Sequence, residues 1–326
     1  MKKQSSLAYL FTLLAVLSIG FTIPFLISSN HVDEDHSAKS EVPYCVSSPS
    51  VPEQVTFDGE SIDLRRYDRR ERMDREIMAF TYMHSTTILL IKRANRYFPI
   101  VEPILKENGV PDDFKYLMVI ESNLNTIARS PAGAAGLWQF MPATGREFGL
   151  EVNDNVDERY HIEKATVAAC KYFKQAYQKF GDWISVSAAY NAGQGRISSQ
   201  LGQQLATHAM DLWLVEETSR YMFRLLAAKE VFSNPQRYGF LLKKENLYPP
   251  LNYQEKIVNS PITNLSNFAK QQGITYAQLR EANPWIRSTH LKNKSRKRYV
   301  FKIPTQESMY YDPKKTVAYH KNWVID

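Results

Sequence analysis

Apolar residues recur at helical intervals through the middle of the chain. Between residues 62 and 108 they stand among many Arg and Glu residues, at the spacing of about two amphipathic helices. Residues 165–173 and 183–190 keep this spacing and place small residues at contact positions, which is typical of closely packed helices. A further helix is predicted over 212–232, and prolines at 249 and 250 then end the helical region. The pattern therefore predicts a mainly α domain over residues 62–248.

One predicted helix, residues 111–124, carries a carboxylate within its own apolar stripe. Pro111 at the first position and two acids in the first turn mark its start. The helical period places Glu121 on the same face as four apolar residues, Phe114, Leu117, Met118 and Leu124. Apolar surroundings raise the pKa of a carboxyl group, so Glu121 could act as an acid near neutral pH. The alternative is a Glu at the helix edge whose carboxylate reaches solvent or an Arg.

Two further segments carry candidate binding residues. Residues 130–145 contain glycines, prolines and small residues that favour tight turns and let backbone approach a ligand closely, and we expect Trp138, Gln139 and Met141 to line this loop. Tyr190 and Asn191 come at the end of a predicted helix and are followed by glycines, so a helix cap and turn is the alternative to a binding role.

The predicted helix over 212–232 presents three polar residues on one face. Glu217, Tyr221 and Arg224 are separated by offsets of four and three, which brings their side chains together. A surface salt bridge between Glu217 and Arg224 or Arg220 is the alternative to a functional role.

The two ends of the chain differ from the helical region. Residues 1–27 combine two lysines with a long apolar run, which predicts an export signal, and its length favours an uncleaved membrane anchor. Residues 28–61 lack periodicity and are predicted to form a flexible tether. Residues 254–305 change to short β-like pieces around helical ones, which predicts a small α+β module of βααβ order, and residues 306–326 form a C-terminal tail.

Composition and charge narrow the possible partners. The 326 residues are 44% hydrophobic and 23% charged, which is ordinary for a folded globular protein. The net charge is +7, and basic residues concentrate between 287 and 302, which indicates contact with an anionic polymer or membrane, or simply a solvated surface. The export signal argues against nucleic acid as a partner. Cys45 and Cys170 are not expected to form a disulfide, Cys45 is not expected to carry a lipid, and Cys170 is predicted to be a small core residue.

Three of these segments together resemble the lytic transglycosylase family. Glu121-Ser122, the run over 136–142 and the run over 189–193 occur in the order and spacing of that family, and the resemblance covers about residues 101–232. The sequence departs from the family at Ser219, where Arg is usual, although Glu217 and Tyr221 match. The C-terminal module resembles a LysM domain that lacks the usual Gly-Asp before its first helix.

The resemblance implies a lysozyme-like all-α catalytic domain that cleaves peptidoglycan without a metal or cofactor. Glu121 would protonate the bond between N-acetylmuramic acid and N-acetylglucosamine and then act as base, while the muramyl 6-hydroxyl attacks to give a 1,6-anhydromuramyl end. The other implied residues orient Glu121 (Ser122), line the glycan groove (Gln139 and Met141), hold the acetamido region (Tyr190 and Asn191) or support the substrate from a far helix (Glu217 and Tyr221). A hydrolytic muramidase and a non-catalytic peptidoglycan-binding protein are the alternatives.

Overall fold

Helices dominate the computed structural model, which describes residues 46–325. The α-helices are α1 (Tyr67–Tyr82), α2 (His84–Glu107), α3 (Lys115–Ser122), α4 (Pro142–Glu147), α5 (Ile162–Phe180), α6 (Trp183–Ala192), α7 (Gln194–Gln203), α8 (Glu216–Ser233), α9 (Leu265–Gln271) and α10 (Tyr276–Ala282). The four strands in this part of the chain are β1 (Gln54–Phe57), β2 (Glu60–Asp63), β3 (Tyr253–Val258) and β4 (Tyr299–Pro304). This confirms the mainly α prediction.

The predicted N-terminal signal or anchor, residues 1–27, lies outside the described residues, as does Cys45. Within residues 46–325 no helix is both long and apolar enough to cross a membrane.

A β-hairpin occupies the end of the segment that was predicted to be a tether. β1 and β2 pair antiparallel, and Asp58 and Gly59 make the turn between them with positive φ. Val55 and Phe57 alternate with exposed residues and are buried, so one face of the hairpin packs on the helical domain. Phe57 contacts the ring of Phe114 with centroids 5.6 Å apart. The prediction of a flexible tether is therefore wrong for residues 54–61. Buried and exposed residues alternate along the first strand, but the segment is so polar that this alternation was not evident in the sequence.

The helical domain has one core, into which α1, α2, α3, α5, α6 and α8 place their apolar faces. Large side chains with almost no exposed surface fill it, among them Phe98, Phe114, Trp138, Phe173 and Phe223. Cys170 lies in this core, as predicted. The helix predicted over 212–232 begins later than expected, at Glu216, since residues 212–215 are not helical.

The helix that carries Glu121 is shorter than predicted at both ends. A 3-10 turn, Asp112–Phe114, precedes α3, and the helix ends at Ser122. Asn123 takes the left-handed conformation at φ 51° and its backbone N–H bonds to carbonyls of the last turn, which terminates the helix. Leu124 also has positive φ and is buried, so the chain reverses with its apolar side chain still in the core.

The C-terminal module has the predicted βααβ order. β3 and β4 pair antiparallel from Tyr253 opposite Pro304 to Val258 opposite Tyr299. Side chains of Asn264 and Thr275 cap the N-termini of α9 and α10. The module has its own small core, which includes Leu265, Leu279 and Phe301.

The C-terminal tail folds back onto the helical domain. Trp323 is 1% exposed and its indole N–H donates to the carbonyl of Phe232 at 2.6 Å. Its ring packs against Phe98 and Tyr319. The tail therefore packs as part of the helical domain, although the C-terminal module separates it from that domain in the sequence.

Candidate active site

Glu121 lies in the last turn of α3 with its carboxyl group turned towards α8. The four apolar residues of its stripe are buried as predicted, and Glu121 itself is only partly exposed. The hydroxyl of Tyr221 donates a hydrogen bond of 2.7 Å to Oε1 of Glu121. Burial raises the pKa of Glu121 to about 7; the charge of Glu217 also raises this pKa, while the Tyr221 hydrogen bond and Arg224 lower it. A carboxyl group with this pKa is protonated in much of the population near neutral pH.

The face of α8 opposite Glu121 does not carry the salt bridge that was the alternative prediction. Arg220 and Arg224 bind Glu76 of α1, with nitrogen–oxygen distances of 2.7 and 3.5 Å, and Glu76 is 1% exposed. The Glu217 carboxylate is exposed and makes no hydrogen bond or ion pair within residues 46–325. It is therefore free to meet a ligand. Arg220, which follows Ser219, and Arg224 tie α8 to α1 through the buried carboxylate of Glu76.

Residues 130–141, called the motif loop below, are held in a conformation that leaves no room for side chains at Gly136. Gly136 has φ +79°, and a Cβ there would meet the carbonyl oxygen of Arg159 at 1.9 Å. Gln139 also has positive φ, and its side-chain amide donates to the carbonyls of Gly136 at 2.8 Å and Ala128 at 3.3 Å. The amide nitrogen of Gln139 thus fixes the loop, which leaves its amide oxygen for a ligand.

The loop exposes one of its predicted lining residues and hides another. Met141 is 42% exposed and can contact a ligand. Trp138 has no exposed surface and its indole N–H donates to the hydroxyl of Thr166 at 2.9 Å. The prediction that Trp138 lines the loop is therefore wrong, because its ring packs into the core against Phe173.

Tyr190 and Asn191 lie in the last turn of α6. The hydroxyl of Tyr190 donates to the carbonyl of Trp138 at 2.6 Å, which ties α6 to the motif loop. Burial raises the pKa of Tyr190, and the charge of Glu121 raises this pKa further. The side-chain amide of Asn191 is partly exposed and has no hydrogen-bond partner in the described part of the chain. Gly193, with φ 88°, provides the cap of α6, so Asn191 is not needed for that role.

The hydroxyl of Ser122 makes no hydrogen bond to the carboxyl group of Glu121. This hydroxyl is buried and donates to the carbonyl of Met118 one turn earlier, at 2.9 Å. The orientation role predicted for Ser122 is taken by Tyr221, which holds the Glu121 carboxyl group directly.

Sequence reasoning missed the residues that hold the motif loop. Asp157 and Arg159 form a buried ion pair with two hydrogen bonds of 2.9 and 2.7 Å. The guanidinium of Arg159 also donates to the carbonyls of Gly133 and Phe140, at 2.8 and 2.9 Å. The offset of two between Asp157 and Arg159 is a weak signal, and nothing local indicates the carbonyls that Arg159 would reach.

The described residues contain no candidate metal site. Among residues 46–325 no group of three or more His, Cys, Asp and Glu side chains is placed to hold a metal ion.

Comparison with known proteins places this geometry in a known family of domains. Residues 98–211 match the transglycosylase SLT domain, and residues 254–307 match the soluble lytic transglycosylase C-terminal LysM-like domain. The chain is 30% identical over 227 residues to membrane-bound lytic murein transglycosylase D of Escherichia coli K12, covering 68% of this chain and 49% of that protein. It is also 30% identical over 153 residues to a soluble lytic murein transglycosylase of Salmonella typhimurium, covering 43% of this chain and 23% of that protein.

Among solved structures, the 70 kDa soluble lytic transglycosylase of Escherichia coli is 26% identical, with a TM-score of 0.36, covering 42% of this chain and 24% of that chain. The chain thus spans about half the length of membrane-bound lytic murein transglycosylase D. This chain therefore carries a transglycosylase SLT domain, followed by a LysM-like domain of the soluble lytic transglycosylase type.

Proposed function

We propose that this protein is a lytic transglycosylase that cleaves the β-1,4 bond between N-acetylmuramic acid and N-acetylglucosamine in peptidoglycan. The observation that carries the proposal is Glu121, a partly buried carboxyl group with a pKa of about 7, hydrogen-bonded by Tyr221 within an SLT domain. The relatives named as lytic murein transglycosylases support the same substrate class.

In the proposed reaction Glu121 acts first as acid and then as base. Its carboxyl group gives a proton to the glycosidic oxygen while the bond to the muramyl anomeric carbon breaks. The substrate's own acetamido group stabilises the positive centre that forms. The Glu121 carboxylate then takes the proton of the muramyl 6-hydroxyl as that oxygen bonds to the anomeric carbon. The proton returned to Glu121 restores the enzyme, and the product has a 1,6-anhydromuramyl end.

Tyr221 suits both steps because its hydroxyl donates to the carboxylate as charge develops there. Tyr221 is buried and its pKa is raised, so it stays a hydrogen-bond donor throughout. A carboxylate formed beside this donor is stabilised without waiting for water to reorganise.

The groove would be lined from two segments, the motif loop and the end of α6. Met141 offers exposed apolar surface, Gln139 offers its amide oxygen, and Asn191 offers an unpartnered amide for the acetamido region. Tyr190 supports this region from behind, because its hydroxyl is bonded to the motif loop. Glycan grooves combine apolar surface and amide groups in this way.

The second candidate function is that of a hydrolytic muramidase, and the observation that favours it is Glu217. It is an exposed carboxylate without a partner in the described residues, and its charge acts on Glu121. Such a group could activate water on the far side of the sugar. In the transglycosylase it would instead contact the substrate from α8.

The similarity to a membrane-bound relative also bears on where this protein is located. We infer an exported protein of the cell envelope that is held to the membrane by its N-terminal segment, since a relative with 30% identity is named as membrane-bound. Residues 1–27 have the composition that such an anchor requires.

Variants of the two carboxylates test the proposal. Glu121→Gln keeps the shape and the Tyr221 contact but removes the proton, so release of soluble fragments from dye-labelled sacculi should fall by on the order of 1,000-fold. Glu217→Gln should retain activity within about 10-fold, since it would lose only a substrate contact. Comparable loss in both variants would instead favour the muramidase, and unchanged release by Glu121→Gln would overturn the proposal.

A further inference from the structure

The C-terminal module contacts the helical domain through the segment that holds the motif loop. We propose that this LysM-like module acts as a buttress that positions the motif loop, residues 130–141, for the reaction. The effect that this role should have on activity rests on the proposed function. The contact between the module and the loop does not rest on it, since it can be measured in the protein without substrate.

The first link joins the module to Asn155. The backbone N–H of Arg287 donates to the Asn155 carbonyl at 2.9 Å. The side-chain amide of Asn155 donates to the carbonyl of His290 at 2.7 Å, and its Oδ1 accepts from the N–H of Lys292, also at 2.7 Å. Asn155 is 8% exposed. One side chain thus satisfies two backbone groups of the module and fixes its position on the helical domain.

The second link is backbone pairing beside Asn155. Val156 and Ile286 form an antiparallel bridge, and the N–H of Asp157 donates to the carbonyl of Trp285 at 2.8 Å. The segment before Arg159 is therefore held against the module by one β-bridge and the backbone hydrogen bond beside it.

The third link is apolar. Three residues outside the module, Ala135, Val156 and Tyr160, belong to the module's own buried core. Ala135 lies within the motif loop, so the loop and the module share one core. Arg287 adds a cation–π contact, with its guanidinium carbon 4.3 Å from the centre of the Tyr160 ring. The module thus buries surface of the loop as well as of the segment behind it.

The fourth link runs from this segment to the loop. Asp157, whose N–H is bonded to the module, holds the guanidinium of Arg159, which in turn donates to the carbonyls of Gly133 and Phe140. Gly136 packs directly against the Arg159 carbonyl. A shift of the module would therefore move both ends of the loop together, since the guanidinium is planar and rigid.

The last link reaches the site. Gln139 and Met141 stand on either side of Phe140, whose carbonyl binds Arg159. The carbonyl of Trp138 accepts the hydroxyl of Tyr190, the residue whose pKa responds to Glu121. The module thus connects through buried contacts to groups that would touch substrate, although it contributes no side chain to the Glu121 site itself.

The module's own aromatic residues support this role rather than glycan binding. Trp285 is 3% exposed and stacks on Tyr299, with centroids 5.6 Å apart, and on His161 of the helical domain. A buried ring cannot serve as an open platform for sugars. The tryptophan of the module is used in the joint between the module and the helical domain.

The test changes Asn155 in the otherwise intact protein. Asn155→Ala removes both side-chain bonds and should lower kcat on sacculi on the order of 10-fold with KM almost unchanged, since substrate contacts stay but the loop is less well held. Asn155→Asp keeps one acceptor and should recover part of the loss. Asn267→Ala is the matched control on the same module, because the side chain of Asn267 is exposed and makes no hydrogen bond within the described residues, and it should behave as wild type.

Hydrogen exchange without substrate gives the independent readout. The N–H of Ala135 donates to the carbonyl of Phe140, and the N–H of Gly136 donates to the carbonyl of Ala128, just before the motif loop. Both N–H groups should exchange faster in Asn155→Ala than in wild type or Asn267→Ala. Unchanged exchange there would overturn the buttress, whether or not the wild type cleaves peptidoglycan. If Asn155→Ala instead raised KM and weakened sacculus binding while kcat stayed unchanged, the buttress would also be overturned, and the module would be a glycan-binding one. Inactive wild type with faster loop exchange in Asn155→Ala would contradict the proposed function alone.

Discussion

Replacing Glu121 by Gln should make the protein more stable at neutral and alkaline pH while abolishing its activity. The pKa of Glu121 is about 7 in the folded protein, against 4.5 for an ordinary Glu. Below pH 4.5 the carboxyl group is protonated in both states and has no effect on stability. Between pH 4.5 and 7 the unfolded chain releases this proton first, so the free energy of unfolding falls as pH rises.

The magnitude follows from the two pKa values. Their difference corresponds to about 3 kcal/mol of lost stability once the pH exceeds 7. Gln cannot ionise, has nearly the same shape, and keeps an oxygen that can accept the Tyr221 hydroxyl. The stability advantage of Glu121→Gln over wild type should therefore grow by about 3 kcal/mol between pH 4 and pH 8.

Urea unfolding of both proteins at several pH values between 4 and 8 measures this difference. Glu147→Gln is a control on an exposed Glu for which no such growth is expected. A difference in unfolding free energy that stays constant across the range would refute the burial of a proton-holding carboxyl group at position 121, as would a variant less stable than wild type at pH 8.

Three further changes test the surroundings of the site. Tyr221→Phe removes the bond that lowers the pKa of Glu121, so the alkaline limb of the kcat/KM profile should move to higher pH; a shift to lower pH would contradict the assignment. Gly136→Ala places a Cβ 1.9 Å from the Arg159 carbonyl in a left-handed conformation and should cost more than about 3 kcal/mol; unchanged thermal unfolding would contradict the loop geometry. Glu76→Gln weakens the bonds to the arginines of α8 and should cost about 2 kcal/mol in urea unfolding, with no loss expected if that contact is absent.

The local pattern singled out Glu121, but it left open whether this residue is a buried acid or a Glu at the helix edge, and the resemblance to known sequences decided between them. A carboxylate in an apolar stripe is visible at the helical period, and its burial and raised pKa followed from that position. Tyr221 lies 100 residues further along the chain, so its approach to Glu121 is a property of packing. Only the resemblance to known sequences brought Tyr221 into the predicted site, and its predicted task was a different one.

The failures have different physical causes. Trp138 was misread because its partner Thr166 lies 28 residues further along the chain. Ser122 was misread because its hydroxyl turns back to Met118 in its own helix, and the hairpin over residues 54–63 because its short strands lie in a polar segment. The loop that should have exposed Trp138 turns it inwards, and Gln139 beside it adopts positive φ. Arg159 had no predicted role because its partners are backbone carbonyls, which have no sequence signature.

The most direct measurement of the central claim is mass spectrometry of the muropeptides released from purified peptidoglycan by wild type and by Glu121→Gln. Products with 1,6-anhydromuramyl ends from wild type alone are the predicted result. Reducing ends from wild type would contradict the transglycosylase and identify a muramidase, and identical products from both proteins would contradict the role of Glu121.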